Sequence, residues 1–384
     1  MADEKSVWST YDDKDKEALE ALSAGYIDFL SDCKTERESV KFAIAAAEAA
    51  GYKNLASLIG GRKKLKAGDK VYSVCMKKSI ALFNIGKEPL TNGMNILGAH
   101  NDTCSLHVKQ KPIYEDANLC LLDTHYYGGI KKYQWVALPL ALHGVVVKKD
   151  GSIIDICIGE EANDPVFCVT DLLPHLAQEQ MEKKGSVVVE GEALDVLCGN
   201  YPLTKEDKES VKENVLALLK EKYNIEEADF LSAELIFVPA GRARELGFDR
   251  SMVLAYGQDD RVCSYTSLVA MLETKKVNRT ACCLLVDKEE IGSVGATGMQ
   301  SRFFENAVAE VLNLMGETSE LAVRRTLANS KMLSSDVSSA YDPLYASAFD
   351  KKNVAYVGKG LVFNKFTGAL GKSGSNDANA EYLG

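Results

Sequence analysis

The chain has 384 residues, 46% hydrophobic and 26% charged, enough for two or three ordinary globular cores. Its net charge of −10 is offset by no basic block, which argues against nucleic acid or an anionic membrane surface as partner. No apolar run approaches the roughly 20 residues that span a bilayer, and the polar N-terminal stretch is no secretory signal. Ten cysteines without a CxxC pair point to reduced thiols and a cytoplasmic protein.

In chain order, residues 12–31 place Leu19, Leu22, Tyr26, Phe29 and Leu30 on one side of a predicted amphipathic helix. Thr35 with Glu38 spells a capping box for a second helix, which runs through AIAAAEAA to Gly51, a suitable C′ residue. Residues 71–85 read as two strands joined near Lys77-Lys78, and 94–99 as a buried strand leading into His100-Asn101-Asp102. From 109 to about 238 the texture changes. Short β-rich runs at 135–142, 143–147 and 153–158 alternate with turn signals such as Lys149-Asp150-Gly151. A charged helix over 204–223 and a strand over 233–238 follow, so a second domain is expected to be inserted at about 106–240. Beyond Gly241 the strand–helix alternation of an α/β layer returns. It consists of a helix at 262–273, a strand at 281–286, helices at 300–315 and 320–328, and a strand at 331–335 that ends in Asp336.

Four strand ends thus carry potential metal ligands: His100 with Asp102, Asp259 with Asp260, Glu289 with Glu290, and Asp336. The carboxyl ends of strands are where α/β sites assemble. Zinc accepts imidazole and carboxylate, and a further carboxylate commonly orients the ligating histidine. The spacing of His100-x-Asp102 puts both side chains on one side of an extended segment. Adjacent Glu289 and Glu290 repel, so either a cation lies nearby or one of them has a raised pKa. Each pair alone reads equally as a solvated turn or a structural histidine. All four together, in a chain of five histidines, favour a metal site.

Gly292, Gly295 and Gly298 after the glutamate pair read as room for substrate and metals. Their spacing lacks the dinucleotide fingerprint, and no Walker loop is present. Cys104 and Cys263 have no activating base at identifiable spacing and read as structural thiols. His125-Tyr126-Tyr127-Gly128-Gly129 reads as a core aromatic turn, in preference to a loop reaching a partner's active site.

The stretches KTERE (34–38), GAHNDT, DKEEIGS, GQDDR, SSDVSSAYDP and GSNDAN, with the long block YEDANLCLLDTHYYGGIKKYQWVALPLALHGVVV (114–147), resemble the M18 zinc aminopeptidases. This is the aspartyl aminopeptidase family, and its bacterial members are the most similar. The resemblance covers nearly the whole chain. It implies an α/β fold, with an α/β/α sandwich metallopeptidase domain formed by residues 1–105 and 241–384. A β-rich dimerisation domain is inserted at 106–240, and dimers assemble into dodecamers. It also implies an aminopeptidase that removes N-terminal residues from peptides with two divalent metal ions, zinc first, cobalt or manganese as alternatives.

By the same resemblance, His100 and Asp336 match ligands of one metal, Asp259 the bridging carboxylate and Glu290 a ligand of the second. Asp102 matches the group orienting His100, and Glu289 the general base. Two departures stand out. The family supplies a further histidine from a later M-H-x-x-x-E segment, which this sequence lacks before Gly384. The expectation is a C-terminally truncated chain, in preference to substitution by His107, His125, His143 or His175. Members that favour acidic N-terminal residues present a lysine where this chain has Asn364, with Lys365 one place on. Neutral or apolar N-terminal residues are therefore at least as well matched. The competing readings are a catalytically impaired relative acting as an assembly protein and a metal-free hydrolase using two carboxylates.

Overall fold

Consecutive side chains of two apolar strands enter opposite cores, and this sets the architecture. Ile80 and Leu82, with Cys283 and Leu285, pack among Val40, Ala43, Ala47, Leu268 and Met271. Their neighbours Ala81 and Phe83, with Cys282 and Leu284, pack among Phe304, Ala307, Val308 and Val311. A sheet apolar on both faces must be covered on both, which is the reason for helices on either side.

The computed structural model describes residues 5–61, 64–204, 208–371 and 379–383. In chain order they form α1 (Asp13–Asp32), α2 (Glu36–Ala49), β1 (Lys53–Asn54), β2 (Lys70–Cys75), β3 (Ser79–Asn84), β4 (Asn95–His100), β5 (Ser105–Asp116) and β6 (Leu119–Tyr127). Then come β7 (Leu140–Val147), β8 (Ile153–Ile158), α3 (Gln178–Met181), β9 (Val196–Gly199), α4 (Ser210–Tyr223) and β10 (Ala233–Pro239). The hairpin β11 (Arg244–Leu246) and β12 (Met252–Leu254) leads to α5 (Gln258–Glu273), β13 (Ala281–Val286), α6 (Phe303–Met315), α7 (Glu320–Asn329), β14 (Lys331–Ser334) and α8 (Ala380–Leu383).

The chain divides into two compact units, Ile27–Ser335 and a smaller one of Met1–Tyr26 with Asp336–Gly384. In the larger unit a mixed sheet runs β1-β2-β3-β13-β4-β14, with β13, β4 and β14 mutually parallel. Helices α2 and α5 cover one face and α6 and α7 the other, giving the expected α/β/α sandwich. A second sheet, β8-β7-β10-β5-β6-β9, is antiparallel throughout and has its own core around Leu106, Leu140, Phe230 and Phe237. In the smaller unit Val7 N–H donates to Gly358 O at 2.9 Å, and Tyr341 packs against Phe349 and Tyr356. Among the described residues no helix is long and apolar enough to cross a membrane.

Several local readings meet a different outcome. The capping box forms as Thr35 and Glu38 spell it, and Gly51 closes α2 at φ +86°. The runs at 135–142 and 143–147 are instead one strand, β7, beginning after Pro139. Val136 makes only an isolated bridge to Val169, Ala137 is left-handed at φ +57° and Pro139 offers no N–H, so the continuous ladder starts at Leu140. Helix α4 begins at Ser210, where the pattern suggested 204, and residues 205–207 lie outside the described ones. The GSNDAN stretch does so too, apart from its last residue. The long hairpin β5–β6 turns at Ala117-Asn118, both with positive φ, without the glycine that would have signalled it.

Candidate active site

The parallel trio brings strand ends to one edge of the mixed sheet: Val286 pairs with His100, and Ser334 with Gly98. His100, the last residue of β4, is 3% exposed. Its Nδ1 faces two acceptors, the Asp102 carbonyl at 3.0 Å and Asp102 Oδ1 at 3.3 Å. Nδ1 therefore carries a proton and donates it. On the other side Nε2 faces Asp259 Oδ1 at 3.2 Å and Glu289 Oε2 at 3.7 Å. A bare ring nitrogen opposed by two carboxylates is repulsive, so a second proton or a cation belongs there. In the protein alone it is a proton. Burial works against it, but hydrogen bonds to Asp102 and Asp259 outweigh burial and hold the His100 pKa at about 11. Imidazole with converging carboxylates is also a zinc donor set, so these residues fit a divalent ion.

Asp102, 2% exposed, is the hub of this site. Besides His100, it accepts the N–H of Glu289 on Oδ1 and that of Glu290 on Oδ2, both at 3.1 Å. Burial pushes its pKa up, but hydrogen bonds with His100 and Tyr127 prevail and keep it below the usual carboxylate value. One buried carboxylate thus fixes the imidazole and the backbone of the turn that bears the glutamate pair. That turn, Glu289–Ile291, is bracketed by Lys288 at φ +71° and Gly292 at φ +92°. Burial, and then the Asp259 charge, push Glu290 up against the opposing hydrogen bond with Cys104. Cys104 is itself pushed up to about 12, by burial and then by Glu290. A thiol held protonated is a weak nucleophile, in keeping with the structural reading of Cys104.

Asp259 and Asp260 open α5, but both have non-helical φ/ψ, and the peptide joining them is cis. Asp260 is fully buried, and its Oδ2 accepts the His100 N–H at 3.3 Å. Asp259, with its side chain 52% exposed, turns toward His100 Nε2. The first turns of α5 hold the end of β4 in place. Ser264 Oγ donates to His100 O at 2.7 Å, and the buried Arg261 donates to Thr103 Oγ1 at 2.9 Å.

The structure therefore brings His100, Asp102, Asp259, Glu289 and Glu290 together inside Ile27–Ser335. Asp336 belongs to the smaller unit, as do Asn364 and Lys365. It follows Ser335, whose N–H donates to Gly98 O at 2.7 Å. The glycines also shape the backbone here, while a Cβ at Gly292 or Gly295 would meet nothing within 4 Å. Gly292 and Gly295 adopt left-handed φ, and a Cβ on Gly298 would come within 2.3 Å of Ser293 O, so they build the turn itself. His143 is engaged by Glu38 and Glu160, and His107 stacks on Tyr127.

Sequence reasoning offered Asp260 only as a potential ligand beside Asp259, without its bond to the His100 N–H, and missed Arg261 and the role of Tyr127. Only the aromatic–glycine run at 125–129 hinted at the last of them. An apolar cavity of about 730 Å³ lies against the antiparallel sheet and α4, and none of these site residues lines it.

A family model described as Aminopeptidase I zinc metalloprotease (M18) matches residues 29–383. The probable M18 family aminopeptidase 1 of Clostridium acetobutylicum is 57% identical over 380 residues, covering 99% of this chain and 82% of that protein. The crystal structure of the Thermotoga maritima M18 aminopeptidase superposes with a TM-score of 0.91 at 42% identity, over 99% of this chain and 82% of that one. The crystal structure of aminopeptidase I from Clostridium acetobutylicum gives 0.88 at 56% identity, with the same coverage.

Proposed function

Because the chain belongs to the M18 family of zinc metalloproteases, we propose that it is an aminopeptidase that removes N-terminal residues from peptides. The observation that carries this reading is the posture of His100. Its Nδ1 proton is committed to Asp102, while its Nε2 is aimed at two carboxylates. In this reading His100, Asp259, Glu290 and Asp336 would hold two divalent ions, zinc first. Such ions supply Lewis acidity when bound, polarising a peptide carbonyl and making water a nucleophile near neutral pH.

The chain's own groups do the remaining work. Asp102 holds the His100 tautomer and ring angle, and the N–H groups of Glu289 and Glu290 anchor their turn to that same carboxylate. Glu289 takes the proton of the attacking water and delivers it to the leaving amine. Since Asn364 stands where a lysine would recognise an acidic side chain, neutral and apolar N-terminal residues are the proposed substrates. Residues 106–240 are proposed as the self-association domain. This is supported by exposed apolar side chains there, among them Val166, Leu173, Leu176 and Met181.

Metal analysis and turnover of leucyl, methionyl and aspartyl peptides, with and without a strong chelator, test the reading. The expected result is about two zinc-type ions per chain and chelator-sensitive release of leucine or methionine. Glu289→Gln should then keep its metal and lose on the order of a thousandfold in kcat. A metal-free chain without turnover would overturn the function, and an unchanged kcat in Glu289→Gln would overturn the base assignment.

A further inference from the structure

The run His125–Gly129 is left over by this mechanism, yet it ends β6 directly under the glutamate pair. Tyr127 is the last residue of β6, in the antiparallel sheet, and its hydroxyl donates to Asp102 Oδ2 at 2.6 Å. Its ring stacks on His107 with centroids 4.8 Å apart, and the Lys288 ammonium lies 5.0 Å from its centroid. Lys288 immediately precedes Glu289, so the ring of Tyr127 meets the residue that leads into the catalytic turn, and its hydroxyl meets the carboxylate that anchors that turn.

An ionised carboxylate accepts through about four lone-pair sites. Asp102 fills them from four directions. Oδ1 takes the Glu289 N–H at 3.1 Å and His100 Nδ1 at 3.3 Å; Oδ2 takes the Glu290 N–H at 3.1 Å and the Tyr127 hydroxyl at 2.6 Å. The tyrosine bond is the shortest of the four and the one that comes from outside the mixed sheet. Packing alone would be met equally by phenylalanine; the hydroxyl is what reaches the buried oxygen.

We propose that Tyr127 is a positioning residue for the reaction, contributed by the antiparallel sheet: through Asp102 it sets both the His100 imidazole and the Glu289–Glu290 turn. The inference rests on the function proposed above for these same residues.

The test compares wild type, Tyr127→Phe, Asp102→Asn and the double variant in two readouts: zinc affinity by chelator competition, and steady-state kcat and KM. Removing an outer partner of a metal site typically weakens metal affinity or activity by 10–100-fold. Tyr127→Phe should therefore fold with a thermal midpoint within a few degrees of wild type. It should lose about tenfold in zinc affinity or kcat, with KM held within about threefold. In the Asp102→Asn background the same change should matter less than about twofold, because a residue acting through another is silent once that one is altered. Wild-type zinc affinity and kcat in Tyr127→Phe, or full additivity in the double variant, would overturn the proposal. If Asp102→Asn does not fold, zinc affinity and kcat in the Tyr127→Phe variant decide alone. If wild type binds zinc but cleaves no peptide, the proposed function falls while the zinc affinities still decide Tyr127. A wild type that binds no zinc overturns both.

Discussion

The two sheets of the larger unit divide the labour unequally. The mixed sheet is buried on both faces, and its parallel strands end beside most of the candidate ligands. The antiparallel sheet supplies none of those ligands, yet it touches the site through Tyr127 and Gly128 at the end of β6. The difference teaches that a site built by one layer can be held in register by another. That register depends on how firmly the layers are joined, and two of the charge contacts between them, of nearly equal length, differ greatly in exposure.

The buried contact centres on Lys34, whose side chain is 2% exposed. Its Nζ donates to Glu160 Oε1 at 2.5 Å and to the carbonyls of Pro239 and Gly241 at 2.9 and 2.8 Å. Glu160 Oε1 also meets His143 Nε2 at 3.0 Å, while His143 Nδ1 meets Glu38 Oε1 at 2.9 Å. Glu38 Oε2 in turn accepts the N–H groups of Lys34 and Thr35, so the helix cap and the joint share one carboxylate. Lys34→Met leaves a buried carboxylate and two carbonyls short of a donor and should destabilise by about 3–5 kcal/mol. Urea unfolding checks this, and a loss under about 1 kcal/mol would show that the joint is weak.

The pH dependence of this joint has a definite sign. Burial works against charge on His143, but Cys157, Glu160 and Glu38 outweigh it and hold the pKa at about 11, against an ordinary 6.5. A raised pKa stabilises fully below 6.5, and that contribution drains away as pH rises toward 11. Glu38 and Glu160 are held below their ordinary 4.5 by His143, despite burial, so their contribution is lost on acidification below that value. The gap in stability between wild type and His143→Gln should therefore be widest between pH 4.5 and 6.5 and narrow steadily toward pH 10. A gap that widens with rising pH would contradict the charged histidine.

At the site itself, Gly128→Ala separates the sheets' contributions. Gly128 has φ +77°, and an added Cβ would lie 2.5 Å from Cys104 Sγ and 3.3 Å from Glu290 Oε2. Displacing Glu290 by a few tenths of an ångström should lower kcat by roughly 10–100-fold. The backbone strain adds about 1–3 kcal/mol of instability. Gly129→Ala meets nothing within 4 Å and should behave as wild type, which makes the neighbouring pair a sharp control.

These contacts also show what the sequence made legible. Strand ends bearing His100 and Glu289-Glu290 could be read because six-residue apolar runs bounded by charge have one interpretation in an α/β layer. Asp259, expected at a strand end as well, instead opens α5 after the short, mostly exposed strand β12. The capping box could be read because it is local, Thr35 and Glu38 being three residues apart. Tyr127 could not, since its partner Asp102 is 25 residues away, in the connection after β4, and a strand-end tyrosine ordinarily packs. Lys34 was equally silent: its partners lie 126 to 207 residues on, and lysine is rarely buried unless paired. Periodicity reports which face of an element is apolar; it carries no record of which distant polar group meets it.

A more exposed joint is the pair Lys41 Nζ–Asp155 Oδ2, which links α2 to β8 of the antiparallel sheet at 2.6 Å, almost as short as Lys34–Glu160. Its side chains are 77% and 66% exposed, however. In water the Coulomb attraction at such range is about 1.6 kcal/mol, and ordering two long side chains offsets much of it. Lys41→Ala should therefore change stability by about 0–1 kcal/mol, and about 0.5 M salt should erase what difference there is. A loss above about 2 kcal/mol, or one insensitive to salt, would mean that water is excluded from this seam. The seam would then be dry beyond Lys34, and Lys34 would lose its standing as the strongest of these joints.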